Sequence, residues 1–277
     1  MNIEKIFKAN NLDECFEYLE NGYSIISGGT DIVVKLNEGH IEDAKLLDIR
    51  SVNELKGITQ TDDEITIGAG CTFTEVIEQS ELFPKNVQGF IESLKLVGSP
   101  QIRNAGTIGG NICNGSPAAD SIPPLIALSA KLIIHSKTKS REIKIDDFFL
   151  GKGRVALEKG EILKSIVFSI PKKGMLNFYK YSFRNALSIT LGSIACLIDV
   201  DKNVIKDIII ASGGFSAYCQ REFEMEDLFK GLSLDEAYDQ LEAADEIVQN
   251  RIAMFDSEFK TMKQVTLSGA LMHVLKG

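Results

Sequence analysis

The stretch from Gly98 to Leu125 constrains the fold of this chain more than any other. It contains five glycines and four prolines, interleaved with small hydrogen-bonding side chains and four isoleucines. Glycine permits positive φ and lets a ligand approach the backbone, whereas proline fixes φ and interrupts helix interiors. A long irregular segment in a compact chain is usually functional or disordered, and the isoleucines favour order because they need a core. The sequence therefore predicts an ordered, irregular segment that holds a ligand.

The size and charge of the chain narrow its class. Its 277 residues exceed the usual size of one domain, which predicts two. The net charge of −9, without a sustained basic run, gives no footprint for nucleic acid or an anionic membrane. We therefore interpret Lys35 and the basic group Lys137, Lys139 and Arg141 as solvated surface. No signal peptide or apolar run of membrane-spanning length is evident, so we expect a cytoplasmic protein.

The cysteines and histidines predict no metal site on this chain. The five cysteines are widely scattered and form no Cys-x-x-Cys pair, which is wrong for a zinc site or an iron–sulfur cluster. Their pattern fits reduced, mostly buried thiols. The three histidines lie far apart in the sequence. We therefore assign no metal ligand, and we interpret the histidines as surface or strand-end residues rather than catalysts.

Hydrophobic periodicity predicts an α+β protein in two parts. In the first part we expect helices at 12–21, 32–39, 72 onward, 87–97 and 121–130, with strands at 23–26, 45–48, 64–68, 131–136, 141–145 and 162–170. The Pro-Lys-Lys-Gly turn at 171–174 divides a first domain, 1–172, from a second, 175–277. In the second we expect strands at 176–183, 188–200 and 204–212, then helices at 223–230, 234–252 and 257–276.

Two double-glycine loops carry the strongest signal for a ligand. The first, Ser27–Asp31, stands between a strand and a helix, where backbone N–H groups can bind an anion. A tight turn that merely needs two glycines is the alternative. The second, Thr107–Asn111, follows about 80 residues later. Two such loops can hold one pyrophosphate from both sides, and Asp120 can accept hydrogen bonds from sugar hydroxyls or can simply cap a helix.

These motifs resemble those of a known family. The segments Ser-Gly-Gly-Thr-Asp at 27–31, Ile-Arg-Asn-Ala-Gly-Thr-Ile-Gly-Gly-Asn at 102–111 and Ser-Pro-Ala-Ala-Asp at 116–120 resemble the FAD-binding medium subunit of molybdenum hydroxylases. The likeness extends to 160–171, and to Phe-Tyr-Lys-Tyr at 178–181 with Arg184 beyond. It covers most of the chain and weakens over the last 60 or so residues. The segment after Gly213 and Gly214 departs from the family pattern.

The resemblance implies a fold and a set of cofactor-binding residues. It implies a two-subdomain FAD-binding domain of the vanillyl-alcohol-oxidase (PCMH) type, followed by a smaller α+β domain with a three-stranded sheet and helices. The residues implied to hold the pyrophosphate and its neighbouring groups are Ile26, Ser27, Gly28, Gly29, Thr30, Asp31, Ile32, Val33, Thr107, Ile108, Gly109, Gly110 and Asn111. Asn114 would lie near the flavin, Asp120 would bind the sugar, Leu163 would line the cofactor, and Lys180 would reach it from the second domain. Strand packing for Leu163 and a solvated position for Lys180 are the alternatives.

The resemblance also implies a division of labour between chains. This chain would carry FAD, while [2Fe–2S] clusters and molybdopterin would belong to a small and a large partner subunit. Electrons would pass between the clusters and NAD or another acceptor. A standalone flavin reductase of the same fold, such as the one acting on UDP-N-acetylenolpyruvoylglucosamine, and a flavin-free scaffold subunit are the rival hypotheses. The substrate of the complex is not encoded in this chain's motifs.

Overall fold

A small parallel sheet opens the fold. The computed structural model describes residues 3–41, 44–182, 190–255 and 260–276. Its first elements are β1 (Ile3–Lys8), α1 (Leu12–Glu20), β2 (Ser24–Ile26), α2 (Ile32–Asn37) and β3 (Ala44–Asp48). The strands pair in the order β1-β3-β2, all parallel, so the carboxyl end of β2 and the loop after it lie at one edge of this sheet. The helices and strands predicted here are confirmed, except that β1 was missed.

A five-stranded antiparallel sheet follows. Its strands are β4 (Ile58–Gln60), β5 (Glu64–Gly68), β6 (Lys131–His135), β7 (Ser140–Lys144) and, after the short hairpin of β8 (Phe149–Gly151) and β9 (Arg154–Val155), β10 (Ile162–Ser169). They are ordered β4-β5-β10-β6-β7. Between β5 and β6 the chain forms α3 (Phe73–Glu78), α4 (Gln88–Lys95), α5 (Pro100–Ala105), α6 (Ile108–Asn114) and α7 (Ile122–Ala127). One apolar core joins this sheet to α3, α4, α6 and α7.

The stretch from Gly98 to Leu125 is more regular than the sequence predicts, because it contains the short helices α5 and α6 and most of α7. Its special residues stand at the helix ends. Pro100 occupies the first turn of α5, where a missing N–H costs nothing. Thr107 caps α6 by accepting a hydrogen bond from Gly110 N, and Gly115 ends that helix with φ +59°. The prediction of irregular structure was wrong because glycine and proline were read as helix breakers rather than as caps.

The last part of the chain is a four-stranded antiparallel sheet covered by helices. It contains β11 (Met175–Ser182), β12 (Thr190–Asp201), β13 (Val204–Gly213), β14 (Gln220–Arg221), α8 (Phe223–Phe229), α9 (Leu234–Asp239), α10 (Leu241–Phe255) and α11 (Lys260–Lys276). The sequence predicts three strands and one helix at 234–252. The two-residue strand β14 is too short to give a periodic signal. The predicted helix is divided by a tight turn at Gln240, which ends α9. Some predicted features lie outside the described residues: the strand ends at 183 and at 188–189, Arg184, and the helix start at 257–259.

One apolar cluster spans the two parts, and a second lies between the C-terminal sheet and its helices. The apolar cluster of the five-stranded sheet includes Leu176, Ala195 and Ala211 from β11, β12 and β13. Helix α4 approaches β11 so closely that a Cβ at Gly89 would lie 2.2 Å from the carbonyl oxygen of Leu176. The predicted division at 171–174 coincides with the change from one sheet to the next, and it stays a prediction as a domain boundary. No helix within the described ranges has the length and apolar character needed to cross a membrane.

Candidate functional site

A cleft of about 720 Å³ opens between the parallel sheet, α5 and α6, and the segment leading into β10. The predicted site residues that line it are Ile26, Ser27, Gly28, Gly29, Thr30, Asp31, Ile32, Thr107, Gly109, Gly110, Asn111, Asn114 and Leu163. Ile108 is instead buried in the core, and Val33 lies partly exposed on α2 beside Gly29. The fold thus brings both predicted loops to one cleft, although they are far apart in the sequence.

The first loop presents free backbone donors. Among the described residues, no acceptor receives a hydrogen bond from the backbone N–H groups of residues 27–31. Gly29 has φ +76°, which turns the chain between β2 and α2. Successive N–H groups in such a turn form a concavity that binds anions. Helix α2 has only six residues, so these free donors, rather than a helix dipole, carry the argument for an anion.

Gly28 fixes this loop against α5. A Cβ built at Gly28 would lie 1.8 Å from the carbonyl oxygen of Ala105 and 2.4 Å from its carbonyl carbon. Those atoms are backbone, so no side-chain rotation can relieve the clash. Only glycine fits here, and the contact places the row of free N–H groups beside the second loop.

The second loop uses its backbone donors internally. The N–H groups of Ile108 and Gly109 donate to the carbonyl oxygens of Cys71 (3.0 Å) and Ala69 (2.9 Å). Gly110 N donates to Thr107 Oγ1 at 3.1 Å. This loop therefore presents side chains and glycine backbone to the cleft, rather than a row of free N–H groups. The two loops, which have the same role in the sequence-based hypothesis, differ in the groups that they present.

The Lys35 and Asn114 side chains meet across the cleft. Lys35 Nζ on α2 donates to Asn114 Oδ1 at the end of α6, at 2.7 Å. Lys35 is exposed, as its interpretation as solvated surface predicts, but both residues also line the cleft. The position of Lys35 one helical turn after Asp31 was the sequence signal that it lines the cleft.

Cys113 also lines the cleft, and burial raises its pKa to about 12, so it is a thiol rather than a thiolate at neutral pH.

A buried ion pair supports the third wall of the cleft. Arg141 Nε and Nη2 donate to the two carboxylate oxygens of Glu161 at 2.8 and 2.7 Å. Glu161 also accepts from Glu158 N at 2.8 Å, and Arg141 also donates to the carbonyl oxygen of Ala156. The guanidinium of Arg141 lowers the pKa of Glu161. These bonds hold the segment that leads to Leu163, and they show that Arg141 is not simply solvated.

Asp120 and Lys180 form a pair away from the cleft lining. Lys180 Nζ on β11 donates to Asp120 Oδ2 at 2.6 Å and to the carbonyl oxygen of Leu96 at 3.0 Å. Thr190 Oγ1 donates to Asp120 Oδ1 at 2.7 Å. Both charged side chains are buried, and burial raises the pKa of Asp120 against the opposing effect of the Lys180 ammonium. The alternatives of a plain helix cap for Asp120 and a solvated Lys180 were wrong: Ser121 occupies the cap position of α7.

A glycine-lined cleft with a row of free backbone donors is typical of a site for an extended anionic ligand such as a dinucleotide. A family model described as the FAD binding domain in molybdopterin dehydrogenase matches residues 2–173, more than half of the chain. The chain belongs to this family.

Individual relatives agree with the family model. The chain is 34% identical over 192 residues to the xanthine dehydrogenase FAD-binding subunit of Escherichia coli O157:H7, a match that covers 68% of this chain and 65% of that protein. It is 34% identical over 205 residues to the nicotinate dehydrogenase FAD-subunit of Eubacterium barkeri, covering 70% and 69%. The matched region thus spans somewhat under two thirds of the first relative's length.

Solved structures share the fold over the whole chain. The reconstituted CO dehydrogenase from Oligotropha carboxidovorans superposes with a TM-score of 0.90 at 20% identity, covering 100% of this chain and 97% of that one. Quinoline 2-oxidoreductase from Pseudomonas putida 86 gives 0.89 at 21% identity, covering 100% and 96%. The likeness includes the C-terminal sheet and helices, beyond the end of the family model.

Proposed function

We propose that this chain binds FAD in the cleft and is the flavin-carrying electron-transfer subunit of a molybdenum hydroxylase complex. The observation that carries the proposal is the row of free N–H groups at 27–31. Those donors lie in a cleft whose volume falls within the range of about 300–1,000 Å³ for cofactor sites. The fold would then be the vanillyl-alcohol-oxidase type, with the parallel and antiparallel sheets as its two subdomains.

The residues of the cleft fit a dinucleotide. The N–H groups of the first loop would bind the pyrophosphate, and the Thr107 hydroxyl and Asn111 amide would donate from the opposite side. Asn111 is held in place by Ser121 Oγ, which donates to its Oδ1 at 2.6 Å. In the second loop, Gly109 has no room for a larger residue, because a Cβ built there would lie 2.6 Å from the Cβ of Ala69. Leu163 would pack against the ligand from β10.

Asp120 and Lys180 have a different relation to the cofactor in this proposal. They are cofactor-binding residues by family resemblance, while here each neutralises the other at the junction of β11 and α7. We infer that the pair sets the position of β11 relative to the cleft, and that an FAD group would contact its outer edge. Asn114, at the end of α6, would lie on the flavin side.

Bound FAD supplies the redox chemistry, since flavins exchange one or two electrons, so the protein's task is to bind and orient it. The chain would connect [2Fe–2S] clusters on a small partner subunit, and through them a molybdopterin-binding large subunit, with NAD or another acceptor. The relatives named as FAD subunits of xanthine and nicotinate dehydrogenases support this division of labour.

The electron-transfer role is tested by purification from the native host through a tag on this chain. A ferredoxin-like chain with [2Fe–2S] clusters and a molybdopterin-containing chain should copurify in equal amounts. Anaerobic addition of NADH should bleach the flavin absorbance near 450 nm if NAD is the acceptor. A chain that purifies alone, with FAD and with its own turnover of a small substrate, would favour the standalone reductase instead.

A further inference from the structure

A dinucleotide carries two formal negative charges on its diphosphate, and backbone donors offset only part of that charge. A buried or half-buried anion without a cation nearby is costly, so binding a diphosphate favours a cationic side chain in the cleft. Glu161 is paired with Arg141, and Glu158 lies beside Lys139 Nζ at 3.3 Å. These two carboxylates at the third wall are therefore compensated by cations outside the lining of the cleft.

Asp31 and Lys159 also line the cleft, with Lys159 next to Glu158 at the third wall. Lys35 differs from Lys159 because it lies on α2, directly after the first loop. It begins one helical turn after the free N–H groups at 27–31, and its Nζ reaches Asn114 on the helix of the second loop. Among the described residues Lys35 forms no ion pair with a carboxylate, and its hydrogen-bond partner is the neutral amide of Asn114. A lysine held by an amide oxygen can exchange that partner for a phosphate oxygen at little cost, because a charged acceptor binds ammonium more strongly than a neutral one.

We propose that Lys35 is the cation that neutralises the diphosphate of the bound dinucleotide, and that Asn114 is its partner when no phosphate is present. This inference rests on the proposed FAD site. It adds to the family motif a side chain that lies outside both glycine loops. It also changes the expected role of Asn114. When Lys35 Nζ moves to the phosphate, the Asn114 amide oxygen becomes available to accept a hydrogen bond in the cleft.

The test compares Lys35→Met with the wild type in binding FAD, ADP and riboflavin, measured by flavin fluorescence and calorimetry. Met keeps the length of the side chain and removes its charge. The Kd for FAD and for ADP should rise about three- to tenfold, as expected for one partly exposed charge-assisted contact. The affinity for riboflavin, which has no phosphate, should not change. Added salt should weaken FAD binding less in Lys35→Met than in the wild type.

Lys152→Met is the matched control, because Lys152 is exposed in the β8–β9 turn and does not line the cleft. It should bind all three ligands as the wild type does. Equal losses for riboflavin and FAD in Lys35→Met, or unchanged FAD and ADP affinity, would overturn the role of Lys35. A wild type that binds ADP but no flavin would instead overturn the proposed FAD site, and the ADP arm would still report on Lys35. A wild type that binds none of the ligands would overturn both.

Discussion

Single residues decide whether the cleft can exist, and Gly28 is the clearest case. Its contact with the backbone of Ala105 leaves no room for a methyl group, because the Cβ would lie 1.8 Å from a carbonyl oxygen. Any larger residue must push the first loop away from α5. The free N–H groups at 27–31 belong to the same loop, so their aim depends on this one contact.

Gly28→Ala should therefore weaken FAD binding by about 100-fold or more, since at least two charge-assisted hydrogen bonds lose their geometry. The Kd of the purified variant, measured by fluorescence titration, checks this. Gly269→Ala is the control: a Cβ there has nothing within 4 Å, so FAD affinity should stay unchanged. Unchanged FAD affinity in Gly28→Ala would show that the loop does not bind the cofactor.

The Arg141–Glu161 pair predicts a pH dependence of stability. The pKa of Glu161 in the folded protein lies below its ordinary value of 4.5, so the carboxylate stabilises the fold above about pH 4.5. That contribution is lost as the pH falls through the lowered pKa. In Glu161→Gln the contribution is absent at every pH, so the gap in unfolding free energy to the wild type should shrink as the pH falls below about 4.5. Urea unfolding across that range measures it, and a constant gap would contradict the prediction.

At the scale of elements, the turn from β5 into α3 holds the second loop. Cys71 and Ala69 accept the N–H groups of Ile108 and Gly109, and Thr72 pairs with Thr107 in an isolated bridge. Thr72 also starts α3 in a capping box, in which its Oγ1 accepts from Glu75 N at 3.1 Å while its own N–H donates to the Glu75 carboxylate. One residue thus fixes the helix start and borders the cleft loop.

Thr72→Ala should lower the free energy of unfolding by about 1 kcal/mol, the usual cost of a lost N-cap. Thr72→Ser keeps the hydroxyl and should lose less than half of that. Urea midpoints of the two variants and the wild type give the comparison. Equal midpoints for Thr72→Ala and the wild type would mean that the capping box adds nothing to stability.

The sequence predicted these elements where the signal is local. The loop at 27–31 and the hairpin turn at 201–203 depend on neighbouring residues, and both lie between the predicted elements. The direction of the second loop's N–H groups could not be predicted, because their acceptors lie about 40 residues earlier in the chain. The strands β1 and β4 were missed since they are edge strands whose residues are exposed or half-buried, which leaves no apolar alternation.

At the scale of the molecule, long-range contacts bring the two halves of the chain together. The Lys180 ammonium crosses from β11 to Asp120 and to the carbonyl oxygen of Leu96. Just before the segment where the chain departs from the family pattern, Gly214 N donates to the carbonyl oxygen of Pro117 at 2.7 Å. The Ser-Pro-Ala-Ala-Asp segment is therefore packed against the C-terminal sheet. Sequence alone named both partners of the ion pair but did not pair them, since they are 60 residues apart.

In the proposed function, this chain alone binds one FAD in the cleft. The measurement is the visible spectrum of the full chain after incubation with excess FAD and gel filtration, with the flavin released and quantified. We predict a yellow protein with one FAD per chain, a stoichiometry that Gly28→Ala lowers and Gly269→Ala keeps. A colourless wild-type protein, folded by circular dichroism and without retained FAD, would contradict it.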